Sequence, residues 1–339
     1  MAYDYHIMTY TPLEREDGTE LSVRMKTITK LIYLAFTVVI LAIGAVTANG
    51  APNDLFASIN GNGANGGGFI YKYNPGGVQS IFASGLSRPR GVAFDHFGNL
   101  FVATNTFDSV SGTFQSSIVK ITQQGVQSTF ATLSGNLFGE DVAFDSSGNL
   151  FVIAGDQNDP NQASTIYKFT PGGVQSTFGS VPSQGFGLAF DSAGNLFATV
   201  NYAADPSELW KFAPDGTSSV FVTATDAVSA WGDLAFDRFG NLFVSNDFAP
   251  PTPSKILKFT PDGEESDFAT DLTEPRGLAF DRGGNLFVID RAFEPPGDIL
   301  KFTPNGVETV FASGIDGPQF LAFQLLPTPR PLQRLTQGQ

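Results

Sequence analysis

The stretch GVAFDHFGNLFVATN, residues 91–105, recurs in altered form four more times along the chain. The other copies are DVAFDSSGNLFVIAGD (141–156), GLAFDSAGNLFATVN (187–201), DLAFDRFGNLFVSND (233–247) and GLAFDRGGNLFVID (277–290). The leucine of each Gly-Asn-Leu triplet follows the previous one by 50, 46, 46 and then 44 residues. This regular period predicts a repeat fold in which every copy forms one supersecondary unit.

A second repeated unit lies between these copies, and IYKFTPGGVQSTF at residues 166–178 is an example. Its lysine occurs in six copies, at Lys72, Lys120, Lys168, Lys211, Lys258 and Lys301. Short runs rich in Phe, Val and Ile alternate with Asp-x-x-Gly-Asn and Pro-x-Gly turns, which favours strands over helices. We name the four strands of each period A (LAFD), B (NLFV), C (YKFT) and D (VQSTF). Four short strands in about 45 residues are typical of a propeller blade.

The two ends of the repeat region complement each other. Residues 53–60 (NDLFASIN) form a B strand that no A strand precedes, and residues 319–324 (QFLAFQ) form an A strand that no B strand follows. Pairing them completes the first blade and hides two sheet edges that would otherwise favour aggregation. The sequence therefore predicts an all-β fold: a six-bladed β-propeller over residues 49–325, with four antiparallel strands per blade and a ring closed by the C-terminal A strand. We expect residues 326–339 (LPTPRPLQRLTQGQ) to form a disordered or extended, Pro-containing polar tail.

The composition excludes several classes of protein. A net charge of −14 leaves too few clustered Lys and Arg for a general nucleic-acid binder. The absence of Cys excludes a disulfide scaffold, thiol catalysis and cysteine-ligated metal sites. The chain has only two histidines, His6 and His96, and His6 belongs to a segment that we expect to be removed. A mechanism that needs two histidines is therefore excluded for the mature chain.

The N-terminal region has the pattern of an export signal. Leu31–Ala48 (LIYLAFTVVILAIGAVTA) carries no charge, three basic residues at positions 24, 26 and 30 precede it, and small residues end it. We predict that residues 1–48 are a cleaved signal peptide. Met25-Lys26-Thr27 would make an ordinary bacterial start, which leaves open whether residues 1–24 are an extension outside the natural signal. The alternative is a retained anchor, because eighteen uncharged residues can just span a bilayer. Either way we expect the rest of the chain outside the cytoplasm, secreted or periplasmic, or else N-terminally anchored to a membrane.

The repeat pattern resembles a known family. Pro89-Arg90-Gly91 and Pro275-Arg276-Gly277, each followed by Leu/Val-Ala-Phe-Asp and Gly-Asn-Leu, are similar to the start of the NHL-type repeat. The wider group of six-bladed propellers contains gluconolactonase-like and paraoxonase-like hydrolases, and streptogramin lyase is a seven-bladed relative. The resemblance covers the predicted propeller and implies its fold. It leaves the activity open, because propellers carry unrelated functions.

The resemblance also indicates where a metal would be bound. The hydrolases of the group carry acidic or amide ligands just before the A strands, around the central channel. We call the matching six positions the channel ring: Arg90, Glu140, Phe186, Gly232, Arg276 and Gln319. Only Glu140 is an ordinary calcium or zinc ligand, Gln319 is a weak oxygen donor, and the two arginines would repel a divalent ion. The lyases use a catalytic histidine, whereas His96 is predicted in an A–B turn at the opposite end of the channel.

Two repeated polar positions have structural explanations. The Asp after each LAF or VAF motif recurs five times, at Asp95, Asp145, Asp191, Asp237 and Asp281. An Asp at this place accepts backbone N–H groups two residues on, while the following Gly allows a tight hairpin. We interpret these aspartates as turn residues and the repeated C-strand lysines as solvent-facing members of an outer strand.

The charges are distributed unevenly over the predicted propeller. In this fold the D–A and B–C loops share one face, which we call the loop face, and the A–B and C–D turns share the turn face. The loop face holds 16 acids: Asp108, Glu140, Asp141, Asp156, Asp159, Asp205, Glu208, Asp226, Asp233, Asp247, Asp271, Glu274, Asp290, Glu294, Asp298 and Asp316. It holds five bases: Arg88, Arg90, Lys255, Arg276 and Arg291. Variable loops on a rigid scaffold commonly carry binding sites, although acidic loops also serve solubility.

Two further features of the loop face have alternative interpretations. Asp156, Asn158 and Asp159 place oxygen donors close together and suggest a calcium site, or else a solvated loop of Asx turns. Phe186 and Trp231, at or beside the channel ring, suggest an apolar floor for a ligand, or else plugs of the core.

These observations lead to a hypothesis of a non-enzymatic, secreted binding module. Its predicted ligand-binding face comprises Arg90, Glu140, Asp141, Phe186, Trp231, Asp233, Asp247, Arg276 and Asp290. We expect a cationic or polar partner, either a protein or a small-molecule or carbohydrate ligand, with no nucleic acid, no membrane unless the N-terminal segment is uncleaved, and no cofactor other than possible calcium. The alternatives are a metal-dependent hydrolase of the lactonase type and, third, a lyase. The hypothesis predicts ion pairs among Arg90, Arg276 and the acids Glu140, Asp141 and Asp233.

Overall fold

The computed structural model describes residues 54–60, 67–202, 205–225, 229–248, 253–291 and 296–324. The chain divides into two units, Met1–Ala51 and Pro52–Gln339, and the described residues all belong to the second. The predicted signal peptide, residues 1–48, and the predicted tail, residues 326–339, lie outside the described residues. Within the described ranges no helix is long and apolar enough to span a bilayer.

The described strands form six four-stranded antiparallel sheets, as predicted. Blade 1 contains β1 (Leu55–Ile59), β2 (Gly68–Tyr73), β3 (Gln79–Leu86) and β24 (Pro318–Phe323); blade 2 contains β4 (Val92–Phe94), β5 (Leu100–Asp108), β6 (Thr113–Ile121) and β7 (Gln127–Thr132). Blade 3 contains β8 (Leu137–Phe144), β9 (Leu150–Asp156), β10 (Ser164–Phe169) and β11 (Gln175–Val181); blade 4 contains β12 (Gln184–Phe190), β13 (Leu196–Asn201), β14 (Glu208–Phe212) and β15 (Ser218–Thr223). Blade 5 contains β16 (Ser229–Phe236), β17 (Leu242–Phe248), β18 (Ser254–Phe259) and β19 (Glu265–Leu272); blade 6 contains β20 (Pro275–Phe280), β21 (Leu286–Asp290), β22 (Gly297–Phe302) and β23 (Glu308–Ile315).

The ring closes as the sequence predicts. The order of the first sheet is β24-β1-β2-β3, so the last of the described strands is the innermost strand of blade 1. Leu55 pairs with Phe323 and Ala57 with Leu321, and the backbone N–H of Asn60 donates to the carbonyl of Gly317 at 2.9 Å. Each A strand contacts the A strands of the two neighbouring blades, which gives a closed ring of six.

The A strands are irregular where they approach the loop face. In blades 3 to 6 the pairing between A and B strands shifts register within the two or three residues that include the channel ring, as between Gly139 and Asp141. A shift of this kind is a β-bulge, which bends the strand and re-aims side chains. Except in blade 2, where β4 begins at Val92, the A strands also start earlier than the predicted LAFD segments. Five of the six channel-ring residues therefore lie on strands, whereas Arg90 lies in the segment just before β4.

Phenylalanine fills the space between neighbouring blades. Each B-strand Phe contacts a D-strand Phe of its own blade and an A-strand Phe of the next, with ring centroids 4.9 to 5.3 Å apart and interplanar angles of 70° to 90°. These edge-to-face contacts use the favourable electrostatics of aromatic rings. The central rings are Phe56, Phe101, Phe151, Phe197, Phe243 and Phe287. The sixth contact, Phe287 with Phe323, joins blade 6 to the C-terminal strand of blade 1.

The repeated C-strand lysines are not simply solvent-facing, which corrects the sequence interpretation. Each lysine lies over the central Phe of its own blade, with the ammonium nitrogen 5.3 to 5.9 Å from the ring centroid. An ammonium group at this distance is attracted by the face of the ring. The lysine stem covers apolar surface while its charged end stays near water, so each inter-blade cluster ends in a cation.

The repeated aspartates close the A–B turns, as predicted. Asp95 Oδ1 accepts the backbone N–H groups of Phe97 and Asn99 at 2.9 and 2.8 Å, and its Oδ2 accepts the side-chain amide of Asn99 at 2.8 Å. The other four copies bind their turn Asn in the same way. Gly98 has a φ of 79°, which a side chain would disfavour. These carboxylates therefore serve to close the turns through hydrogen bonds.

Candidate functional site

Arg90 organises one side of the channel ring. Its Nε donates to Glu140 Oε2 at 2.8 Å, one terminal nitrogen pairs with the same oxygen, and the other donates to Gln319 Oε1. The side chains of Arg90 and Glu140 are only 13% and 6% exposed. The predicted ion pair between Arg90 and Glu140 is thus present and nearly buried.

Aromatic rings enclose the same guanidinium group. The Cζ atom of Arg90 lies 5.9 Å from the centroid of the Phe138 ring and 5.5 Å from that of Phe320. Arg90 is therefore held by a carboxylate, an amide and two ring faces. Because its charge is matched and its donors are engaged, the group is rigidly oriented.

The channel ring does not fit a divalent metal ion. Glu140 and Gln319 are the only ring members with side-chain oxygen atoms, and Arg90 engages both. Calcium needs six to eight oxygen ligands, and zinc typically takes three protein ligands even in catalytic sites. No group of three or more His, Asp or Glu side chains in the described ranges is arranged to hold a metal ion. The side chains of the channel ring thus do not fit a divalent metal ion.

Arg276 pairs with a different acid from those predicted. Its Nε donates to Glu274 Oε1 at 3.0 Å, and Arg291 lies 3.4 Å from the same oxygen. The prediction that Arg276 pairs with Glu140, Asp141 or Asp233 is therefore wrong. Burial lowers the pKa of Arg291, an effect that Glu274 opposes and the charge of Arg276 reinforces. Two arginines thus share one carboxylate at this side of the ring.

Asp247 and Asp290 lie beside this group of charges. Asp290 Oδ1 accepts the backbone N–H groups of Thr273 and Glu274 at 3.0 and 2.9 Å, which fixes the segment that carries Glu274. Asp247 Oδ1 accepts the hydroxyl of Ser254 at 3.0 Å. Burial raises the pKa of both carboxyl groups above the ordinary value. Asp290 thus positions Glu274, while Asp247 adds a second partly buried carboxyl group near the two arginines.

Asp141 and Asp233 lie one residue deeper in the channel than the ring. At this level the six A strands carry alternating small and large residues: Gly91, Asp141, Gly187, Asp233, Gly277 and Phe320. A Cβ atom on Gly91 would lie 2.1 Å from Asp141 Oδ1, so glycine provides the space for the neighbouring carboxyl group. Asp141 Oδ2 accepts the N–H of Leu188 at 2.8 Å, and Asp233 Oδ2 accepts that of Leu278 at 2.8 Å.

These two buried aspartates therefore link blades rather than face a ligand, which corrects their assignment to the binding face. Asp141 and Asp233 are only 4% and 7% exposed. Burial raises the pKa of Asp233 to about 7. Burial, and then the negative charge of Asp233, raise the pKa of Asp141 well above its ordinary value. Near neutral pH this level of the channel thus holds protons that ordinary carboxyl groups would have released.

Trp231 also belongs to the interior. Its side chain is 1% exposed and contacts the ring of Phe259 with centroids 5.8 Å apart, in the core between blades 4 and 5. Its indole N–H has no hydrogen-bond partner in the described part of the chain. Of the two predicted floor residues, Trp231 is therefore a core plug, while Phe186 is half-buried at the ring.

The oxygen-rich loop of blade 3 forms Asx turns. Asp156 Oδ1 accepts the N–H of Asn158 at 2.9 Å, and Asp159 Oδ1 accepts that of Asn161 at 2.7 Å. Asn158 Oδ1 accepts the side-chain amide of Asn136 at 3.0 Å. These bonds use one oxygen of each residue that suggested a calcium site and produce an ordered loop.

Sequence reasoning missed a groove on the loop face between blades 3 and 4. It consists of two adjoining cavities of about 480 and 520 Å³, both lined by Pro182. Trp210 lines the first cavity and Tyr202 the second. Trp210 occupies the place of Tyr in the IYKFT motif of blade 3, and it is the one Trp at a position that holds Tyr, Val or Leu in the other copies, which was the available signal. We call this feature the blade 3–4 groove.

Comparisons with known proteins agree with the fold. No protein-family model matches the chain, and no curated protein matches its sequence. The periplasmic gluconolactonase PpgL of Pseudomonas aeruginosa is similar with a TM-score of 0.56 and 17% identity, over 81% of this chain and 86% of that one. TolB from Acinetobacter baumannii gives 0.60 and 12%, over 80% and 66%. A catalytically inactive virginiamycin B lyase from Staphylococcus aureus, solved with quinupristin, gives 0.53 and 14%, over 81% and 94%. At these identities the likeness shows the propeller fold alone.

Proposed function

We propose that this propeller is a non-catalytic binding module that recognises a polar or cationic ligand through its loop face. The observation that carries the proposal is the network around Arg90. The two oxygen-bearing side chains of the channel ring, Glu140 and Gln319, bind a guanidinium group instead of facing a metal or a substrate. The site that performs hydrolysis in the resembling family is therefore filled by the protein's own side chains.

The charges of the loop face support a cationic or polar ligand. Its three central arginines, Arg90, Arg276 and Arg291, are each paired with Glu140 or Glu274. The sequence assigns 16 acids and five bases to this face, so its uncompensated charge is negative. A negative surface attracts cations over about a Debye length, roughly 10 Å at 0.1 M salt.

A location outside the cytoplasm is part of the proposal. The uncharged Leu31–Ala48 segment with basic residues before it has the composition of an export signal. The similar fold of a periplasmic gluconolactonase is in keeping with that location. Sequencing the N-terminus of the exported protein should give a start near Asn49 or Ala51. Intact protein recovered from the membrane fraction would instead identify the segment as an anchor.

The alternative function is a lactonase of the gluconolactonase type, which the fold likeness to PpgL favours. The experiment that separates the two is a metal analysis of the exported protein, purified without chelators, beside a panel of lactones and esters. We expect no stoichiometric calcium or zinc and no turnover. Hydrolysis that is lost in Glu140→Gln but retained in the turn-face variant Asp145→Asn would overturn the binding-module proposal.

A further inference from the structure

Two aromatic rings in the blade 3–4 groove are held by one carboxylate. Glu208 Oε2 accepts the hydroxyl of Tyr202 at 2.6 Å and the indole N–H of Trp210 at 2.9 Å. Burial, and then the bond to Glu208, raise the pKa of Tyr202 to about 12, so the phenol keeps its proton at neutral pH. Each ring is half-buried and lines one of the two cavities. The groove therefore presents two apolar ring surfaces that are already oriented. A ligand that binds against them does not cause a further loss of side-chain conformational entropy.

The second cavity is lined by three residues whose side chains both donate and accept hydrogen bonds. These are Asn161, Gln162 and Gln184, and the side-chain amide of none of them makes a hydrogen bond to the described part of the chain. An amide offers two donors and an acceptor with two lone pairs. Vicinal hydroxyl groups, which also donate and accept, are the matching ligand chemistry.

The groove carries only negative charge among its described lining residues. Asp156 and Asp159 line the first cavity, Asp205 lines the second, and neither cavity is lined by Lys or Arg. Asp156 and Asp159 each use Oδ1 for an Asx turn, which leaves Oδ2 of each without a bond in the described ranges. A ligand with an ammonium group would pair with these carboxylates and lie near an aromatic face.

We propose that the blade 3–4 groove binds an oligosaccharide of free-amine sugars, with one sugar ring over Trp210 and the next beside Tyr202. The inference rests on the proposed binding function and names its ligand class and its site. The two cavities adjoin at Pro182, and each volume falls in the range of roughly 300 to 1,000 Å³ that small-ligand sites occupy. Aromatic faces, unengaged amides and unpaired carboxylates together match the C–H face, the hydroxyls and the ammonium of such a sugar. The side chains of a lysine-rich peptide would pair with the carboxylates but would leave the side-chain amides without hydrogen-bond partners.

Intrinsic fluorescence provides a direct test, because the chain has two tryptophans and only one lies in the groove. Trp210 is half-buried there, whereas Trp231 is buried in the core. Titrating the exported protein with the glucosamine trimer should change the emission of Trp210. Trp210→Phe should abolish the emission change while calorimetry still detects binding. Trp210→Ala should weaken binding by about tenfold, and the exposed turn-face aromatic variant Phe239→Ala should leave it unchanged.

Three other probes define the ligand class. The N-acetylated trimer and a glucose trimer, which lack the ammonium groups, should bind more weakly than the glucosamine trimer. Asp156→Asn with Asp159→Asn should remove that preference. At high salt, charge attraction is screened and only other kinds of contact remain. Trilysine should then bind more weakly than any of the three sugars. Equal binding of all three sugars, or tighter binding of trilysine, would overturn the proposal.

The test also separates this inference from the proposed function. Absence of any response to the glucosamine trimer, in a protein that still binds cationic probes through its loop face, overturns the groove assignment alone. Metal-dependent lactone hydrolysis overturns the binding function whatever the groove binds. Glucosamine-trimer binding that persists unchanged in Trp210→Ala and Tyr202→Ala overturns the location.

Discussion

At the residue scale, individual positions decide what the channel can do. Four of the six ring residues have no side chain that ligates a metal, and one of these four, Arg90, engages the two that could. One level deeper, glycines alternate with Asp141 and Asp233, whose carboxyl groups bind backbone N–H groups of the next blade. Among the described residues, these polar side chains of the channel therefore bond to one another and to the backbone of neighbouring blades.

Removing Arg90 should be costly because it leaves Glu140 buried without a counter-charge. Breaking a buried ion pair in this way costs roughly 3 to 5 kcal/mol. We expect Arg90→Met to lower the free energy of unfolding by about that amount in urea titrations. Adding Glu140→Gln should restore a large part of the loss, since the unpaired charge is gone. Equal stability of the single and double variants would contradict the pairing.

Asp233 should make stability depend on pH. Its pKa is about 7 in the folded state against an ordinary value of 3.8, so its favourable contribution is complete below pH 3.8 and is lost as the pH rises through 7. Asn at this position has no such dependence. As the pH rises from 4.5 to 7.5, the thermal midpoint of the wild type should therefore fall relative to that of Asp233→Asn. The exposed control Asp215→Asn should follow the wild type across that range; if Asp233→Asn does so too, the assignment fails.

At this scale the sequence predicted the roles of residues that the repeat places at fixed positions. It did not predict contacts whose partners are set by how the side chains pack. The turn role of Asp95 and its copies follows from local spacing, and the Arg90–Glu140 pair follows from their equivalent places in adjacent blades. The pairing of Arg276 with Glu274 was missed because Glu274 lies outside the repeated motif. Tyr202, Glu208 and Trp210 lie together in the β13–β14 hairpin of blade 4, and the groove was missed because most of its other lining residues come from blade 3 and meet this hairpin only in the folded ring.

At the element scale, the blade count and strand order were predictable because each strand repeats a fixed pattern. The Phe of every A, B and D strand meets its counterparts in one cluster per blade interface. The cluster explains why Phe accounts for 33 residues of this chain. The contact between each lysine and its central Phe ring could not be predicted from the pattern alone. Alternation along a strand indicates the face on which a side chain lies, but not the direction in which a long side chain leans along that face.

The central ring of one cluster should dominate the stability of its blade interface. Phe151 is 2% exposed and contacts Phe178 and Phe190 at centroid distances of 4.9 and 5.0 Å. Phe151→Ala should lower the free energy of unfolding by roughly 3 to 5 kcal/mol, because it removes a buried ring and leaves a cavity. Phe239→Ala, at a ring that is 70% exposed, should change it little. Chemical denaturation compares the two variants, and similar losses would refute the cluster argument.

The closing strand offers a second test at this scale. A chain that stops at Gly317 lacks β24, which leaves the inner edge of β1 unpaired and removes the strand that β4 and β20 pack against. We expect it to aggregate, whereas a chain that stops at Gln324 keeps β24 and should remain monomeric and stable. Light scattering and thermal unfolding distinguish the two truncations. A stable monomer ending at Gly317 would disprove the role of the strand.

At the scale of the whole molecule, the two ends of the ring differ in chemistry. The turn face is built from near-identical hairpins, while the loop face carries the varied loops and most of the net negative charge. Replacing Asp159, Asp205 and Asp298 by Asn should slow the association of a cationic probe at low salt and have little effect at 1 M salt, where screening acts within about 3 Å. The matched turn-face replacements at Asp215, Asp262 and Glu264 should leave association unchanged. Stopped-flow fluorescence measures the association rate for both sets of variants. Equal effects of the loop-face and turn-face replacements would argue against an electrostatic field that attracts cations mainly to the loop face.

The pairing of β1 with β24 has a consequence for the order of biogenesis. Ser58 and Phe320, which are bonded across this pair, are separated by 262 positions, so blade 1 cannot be finished until the chain has been made as far as β24. The middle blades can assemble earlier, but the ring stays open until β24 is available. Bringing the two strands together adds only a slowly growing entropic cost, because that cost rises with the logarithm of loop length. A chain that terminates before β24 would thus expose unpaired strands to proteases, and closure of the ring distinguishes chains that contain β24 from chains that lack it.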